Sequence, residues 1–159
     1  MRSAVLEFSF LPITESGELV EDLRRVFAEL SSTLPPEQRV SSGEYHPSLD
    51  ILETADTVEI VVDLAGVPAA SARVLFRGGV LIVAGEKAPA PVPADSDFHF
   101  LERGFGRFAR AVQLTGAFEI GQARAVLRAG ELTIVLPKRP DRRGRAQTIP
   151  ITTSSTPPA

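Results

Sequence analysis

The sequence of 159 residues contains no cysteine and no tryptophan, a single tyrosine, a single methionine and two histidines. Without cysteine there is no disulfide staple, no thiolate nucleophile and no cysteine-ligated zinc, and a reducing compartment is permitted. His46 and His99 have no second ligand at metal spacing beyond nearby carboxylates such as Glu44 and Asp50, so no metal and no other cofactor is expected. Serines gather in linkers and tails, and none sits on a strand-to-helix elbow, which leaves a Ser-His-Asp hydrolase unsupported. The glycines of Gly104-Phe105-Gly106 and Gly78-Gly79 precede strands, where phosphate cradles would precede helices; they read as turn glycines. The chain is not expected to be an enzyme. No window approaches eighteen apolar residues, and the opening MRSAVLEFSFLP lacks a basic region followed by a long apolar core. A cytoplasmic protein with no membrane span is therefore expected. A net charge of -3 disfavours nucleic acid, and the basic run KRPDRRGR (138–145) has no interleaved aromatics, so it reads as a solubilising tail.

What remains is an ordinary globular composition, 43% hydrophobic and 23% charged, in a length suited to one core. Between Glu18 and Leu30 the residues Leu19, Leu23, Val26, Phe27 and Leu30 recur at helical spacing, opposite Glu21, Asp22, Arg24, Arg25 and Glu29. This predicts one amphipathic helix, capped by Ser16, with Glu18, Glu21 and Asp22 near its positive end and Pro35-Pro36 beyond its stop. A linker rich in Pro, Ser and Gly (33–43) follows, so the apolar stripe either packs on its own domain or is presented to other molecules.

From Tyr45 the period changes to two, the pattern of half-buried strands. Val58, Ile60, Val62 and Leu64 share one face, with Gly66 and Pro68 closing that strand. Val74 and Phe76 pair in the next, and Gly78-Gly79 forms a hairpin turn into VLIVAGEK, where Leu81 and Val83 point one way. GRFARAVQL, ARAVL and ELTIVLPK continue the series, the last with Leu132, Ile134 and Leu136 on one face and Pro137 at its end. About seven strands without an intervening helix predict an all-β, two-sheet sandwich of immunoglobulin-like form. Two stretches do not fit as strands. APAPVPADSD (88–97) is a long excursion that a compact sandwich does not need. The residues after Lys138 have the composition of an extended tail, yet carry Ile149 and Ile151 one proline apart. One strand breaks its own rule, since alternation places Arg110 on the apolar row of Phe108, Val112 and Leu114. Such a guanidinium either snorkels to solvent at the sheet rim or pairs with carboxylates at a subunit interface.

PSLDILETADTVEIVVDLAGV, LIVAGEK, ERGFGRFARAVQLTG and ARAVLRAGELTIVLPK resemble, in order and spacing, the α-crystallin domain of the small heat-shock proteins, in the bacterial and plant branch. Ile149-Pro150-Ile151 is similar to that family's Ile-x-Ile element. The resemblance covers about Tyr45 to Lys138 and implies three parts: an N-terminal arm (1–44), an α-crystallin domain (45–138) and a flexible C-terminal extension (139–159). It implies an ATP-independent chaperone that holds unfolded client proteins soluble, and a strand-swapped dimer assembling into a larger homo-oligomer. DFHFL (97–101) matches the family's crossing strand, which implies that Phe98, His99 and Phe100 cover another chain's edge, and Arg110 falls on the Phe-x-Arg position near that interface. Leu64-Ala65-Gly66, Leu114-Thr115 and Ala129-Gly130-Glu131-Leu132 depart from the family's Leu-Pro-Gly, Leu-Pro and Asn-Gly-Val-Leu.

The family also implies an apolar groove between the 72–76 and 123–128 strands, with Val74, Phe76, Ala125 and Leu127 as walls, filled at rest by Ile149 and Ile151. Extended backbone puts both isoleucines on one side, and Pro150 fixes φ between them. Client-binding candidates are Phe8, Phe10 and Leu11 together with the helix stripe Leu19, Leu23, Val26, Phe27 and Leu30. The competing expectation is a monomeric sandwich of the CS-domain kind that recruits one defined partner, for which the crossing loop and the Ile-Pro-Ile tail would have no use.

Overall fold

Alternating apolar residues on successive strands leave one face of each sheet that must be covered, and the two faces cover each other. The computed structural model describes residues 6–13, 17–40, 43–139 and 146–154. Seven strands lie between residues 45 and 138: β2 (Leu49–Glu53), β3 (Thr57–Asp63), β4 (Ala72–Arg77), β5 (Val80–Lys87), β6 (Gly106–Leu114), β7 (Arg124–Arg128) and β8 (Glu131–Pro137). Three short strands join them from the flanking segments: β1 (Phe8–Phe10), β9 (Gln147–Ile149) and β10 (Ile151–Thr153). One sheet has the order β1-β6-β5-β4-β9 and the other β10-β7-β8-β3-β2. The result is a two-sheet β-sandwich, as the period-two pattern implied. Its core holds Val58, Ile60 and Val62 from β3 and Leu132, Ile134 and Leu136 from β8, all fully buried, facing Leu81, Val83, Phe108 and Val112 of the other sheet.

Turn chemistry fixes the hairpins. Gly78 and Gly79 both have positive φ (57° and 81°), the geometry that matches the twist of β4 and β5. The β7–β8 hairpin makes the same demand at Ala129-Gly130, where Ala129 (φ 50°) is the only non-glycine with positive φ among the described residues. Strand β5 runs straight through Gly85, because a Cβ there would collide with the Ser71 carbonyl oxygen and the Phe108 ring.

The helix α1 (Gly17–Thr33) extends three residues past the predicted Leu30, and its proposed cap Ser16 lies outside the described residues. Its stripe Leu19, Leu23, Val26 and Leu30, continued by Leu34, packs on the outer face of the first sheet against Ile82, Ala84 and Ala111. Of the two readings of the stripe, the structure places it on its own domain. The sequence signal for this was in β5, where Leu81 to Ala84 are all buried: a strand apolar on both faces is covered on both. Two ion pairs fasten the helix to β4, Arg73 to Glu29 at 3.0 Å and Arg77 to Asp22 at 3.2 Å. Asp22 is 4% exposed, and its second carboxylate oxygen has no partner. Buried Glu86 accepts from Arg107 Nε at 3.1 Å and from the Val40 amide at 3.2 Å, tying the linker after the helix to the sheet.

Candidate interaction surfaces

Each sheet ends in an edge strand on the same side of the sandwich, β4 in one and β7 in the other, and unpaired edges are open to other chains. The C-terminal segment occupies both. Strand β9 runs antiparallel to β4 with Ile149 opposite Val74 and Gln147 opposite Phe76. Strand β10 runs parallel to β7 with Ile151 opposite Ala125 and Thr153 opposite Leu127. Pro150, exposed and without an N–H to donate, is the corner where the tail passes from one sheet to the other. Ile149 is 2% exposed and belongs to the main core, while Ile151 is half-buried against it. Val74, Ala125 and Leu127 are buried beside them. Phe76 is half-buried and meets Phe118 edge to face at 5.8 Å. The tail lies on the groove of its own chain.

The loop between β5 and β6 is the opposite case. Residues 88–105 form no strand, and Phe98 (62% exposed), Phe100 (78%), Leu101, His99 and Val92 stand in solvent. At the root of the loop the Lys87 ammonium lies 4.3 Å from the Tyr45 ring centroid and 5.7 Å from that of Phe105, with the Arg103 guanidinium 5.1 Å over Phe105. Burial, and secondarily the charge of Arg103, pushes the Lys87 pKa down.

Arg110 is half-buried and has no ion pair among the described residues. Its Nη1 donates to the Pro47 carbonyl at 2.6 Å, and its guanidinium lies 4.9 Å from the Phe10 ring centroid. Burial lowers its pKa. Neither contact was readable from spacing, because Pro47 and Phe10 are brought there by β2 and by β1, which pairs with β6 in the register Phe10 opposite Val112.

The client-binding candidates divide into three sets. Phe8 and Phe10 are exposed, and their rings meet edge to face at 6.0 Å. Leu11 and Phe27 are half-buried, and Phe27 lies under Arg107 in an open apolar groove shared with Ile13 and Val20. Leu19, Leu23, Val26 and Leu30 are covered by the sheet, so they are not open surface while α1 is docked. Among the described residues no helix is long and apolar enough to cross a membrane.

A sandwich closed at two edges by its own C-terminal segment and extended by a long loop between its fifth and sixth strands is the architecture of an α-crystallin-type domain. Residues 50–152 match the model of the Hsp20/alpha crystallin family, and the chain belongs to that family of small heat-shock chaperones. It is 30% identical over 115 residues to heat shock protein 16 of Schizosaccharomyces pombe, covering 71% of this chain and 80% of that one. It is 33% identical over 95 residues to spore protein SP21 of Stigmatella aurantiaca, covering 60% of this chain and 56% of that relative. Among solved structures, heat shock protein 16.0 from S. pombe superposes with a TM-score of 0.58 at 28% identity, over 65% of this chain and 96% of that one. The match through residue 152 takes in Ile149-Pro150-Ile151.

Proposed function

We propose that this protein is an ATP-independent holdase of the cytoplasm that binds partly unfolded proteins and keeps them from aggregating. The observation that supports this reading best is the β4/β7 groove with the Ile149-Pro150-Ile151 segment laid in it. A holdase needs apolar surface that is available to unfolded chains yet closed at rest. Burial of each isoleucine contributes roughly 1.5–3 kcal/mol, and ordering the backbone costs about 1–2 kcal/mol per residue, so a single tail is weakly held. Release uncovers Val74, Phe76, Ala125 and Leu127 together with two unpaired strand edges, and an extended client segment can replace tail for strand. Phe8, Phe10 and Leu11 add exposed or half-open apolar surface, and the α1 stripe joins them only when the helix leaves its sheet.

The protein works as a homo-oligomer built on a dimer. Phe98, His99 and Phe100 cross to the β2 edge of a second copy, where Leu52 is also exposed, and this gives a use to aromatic side chains that the single chain leaves in water. Arg110, next to the start of β2 through Pro47, lies close to that contact. Tails exchanged between dimers then add weak contacts into a stable assembly while each remains separately releasable.

The deciding experiment is light scattering of a heated model client without nucleotide. Suppressed scattering at about one chain per client is expected; client aggregation unchanged by stoichiometric excess of this protein would sink the holdase reading.

A further inference from the structure

The groups at the root of loop 88–105 pose an electrostatic question that one chain does not answer. Lys87 is 7% exposed, and neither it nor Arg103 forms an ion pair among the described residues. Two cations share the Phe105 ring, and the ammonium also lies over Tyr45. A lysine this buried, with its ammonium over ring faces and beside a second cation, is an arrangement that a carboxylate from outside would improve. The same loop carries carboxylates on both sides of its aromatic segment: Asp95 and Asp97 precede Phe98, Glu102 lies between Leu101 and Arg103, and among the described residues no ion pair involves any of the three. Among the described residues none of these carboxylates pairs with Lys87 or Arg103 within the chain.

The cluster lies at one end of β2. The Tyr45 hydroxyl donates to the Asp63 carbonyl at 3.2 Å, and the Asp63 amide donates to the Ser48 carbonyl at 2.9 Å. Tyr45 and Lys87 therefore lie at the Leu49 end of β2. A Phe98–Leu101 segment laid along β2 has acids on both sides, so in either strand direction one carboxylate falls at that end. We propose that Lys87 and Arg103, framed by Tyr45 and Phe105, form a carboxylate-accepting site for the acidic flank of loop 88–105 of a second copy. This rests on the crossing-loop reading above and adds its charge code: the aromatic residues supply area, and the basic pocket supplies register and rejects partners without the acid. The lowered pKa of Lys87 in the single chain fits a site lacking its counter-charge.

The test uses two full-length variants. Lys87→Glu/Arg103→Glu reverses the basic site, and Asp95→Lys/Asp97→Lys/Glu102→Lys reverses the acidic flanks of the aromatic segment. Each alone juxtaposes like charges and should weaken the dimer at least about tenfold in native mass spectrometry across a dilution series in phosphate-free buffer. Mixed one to one, they present opposite charges at both contacts and should form a heterodimer with a dissociation constant within about threefold of the wild-type dimer. Circular dichroism checks that each variant is folded. Reversals that leave dimerisation unchanged, or folded variants that fail to pair on mixing, overturn the proposal; if the second case arises while Phe98→Ser/Phe100→Ser still abolishes the dimer, the crossing loop survives and only the basic site falls. Wild-type protein that stays monomeric at every concentration overturns both.

Discussion

The tail at 147–153 and the loop at 88–105 are both apolar segments carried on extensions of the same sandwich, and the chain treats them oppositely. Ile149 is 2% exposed, paired with β4 and part of the core; Phe100 is 78% exposed and paired with nothing. The difference lies in what each segment pairs with. The tail follows β8, beside β7, so both edges of the groove are close to its origin. The loop leaves β5 and returns to β6, both in the sheet opposite the one that ends in β2, and its aromatic residues join no strand. Apolar content alone does not decide whether an extension folds back.

The comparison can be broken most forcefully at Ile149. Ile149→Ala should cost about 2–5 kcal/mol of local tail stability and open the groove, since the residue sits in the core. Hydrogen exchange of the β4 and β9 amides checks it, and unchanged protection would show that the tail is held by something other than this side chain. The converse change is Phe98→Ala/Phe100→Ala. Urea unfolding of the dilute chain should shift by less than about 0.5 kcal/mol, as for any exposed site, while self-association loses about 2 kcal/mol or more. Equal loss in both measurements would mean the loop is held by its own chain after all. Ala129→Gly acts on the β7–β8 hairpin and touches neither extension. Relief of the positive φ should stabilise the sandwich by about 1 kcal/mol and leave the number of subunits per assembly unchanged; a change in that number would show that β7 geometry controls the groove.

The smallest expected effect concerns Glu53. Its carboxylate accepts from Lys138 Nζ at 2.6 Å and from the Leu6 amide at 3.1 Å, and these hydrogen bonds, Lys138 first, hold its pKa below the usual glutamate value. For a lowered carboxyl pKa the stabilisation is complete above the unfolded value and fades as pH falls through the lower folded one. Glu53→Gln should therefore lower stability slightly at neutral pH and converge with the wild type toward pH 3, which flattens the acid limb, measured by thermal unfolding from pH 3 to 7. An identical acid limb in both proteins would remove the pair from the account.

Much of the sandwich was legible because its determinants are local. Period-two runs ending at Pro137 or at Gly78-Gly79 marked strands and turns, and Leu132, Ile134 and Leu136 lie on the buried face that alternation assigned them. The three-residue strands β1, β9 and β10 were not legible as strands, since Phe8–Phe10 and Gln147–Thr153 become strands only by pairing with edges far away in sequence. Arg110 stood out by breaking an alternation, but its partners Pro47 and Phe10 come from other elements. Lys87 gave no signal at all: a lysine ending a strand is unremarkable until Tyr45 and Phe105 are brought over it.

The corner at Pro150 has a consequence for dosage. Because β9 and β10 bond to β4 and β7 through backbone groups and two isoleucines, the tail of any other copy would make the same contacts. A chain's own tail is then a built-in competitor, present at a fixed local concentration on the order of millimolar for a short connection. Exchange of tails between copies would have to overcome that competitor, so assembly through them should show a threshold in protein concentration, and lengthening the connection at 139–146 should lower it.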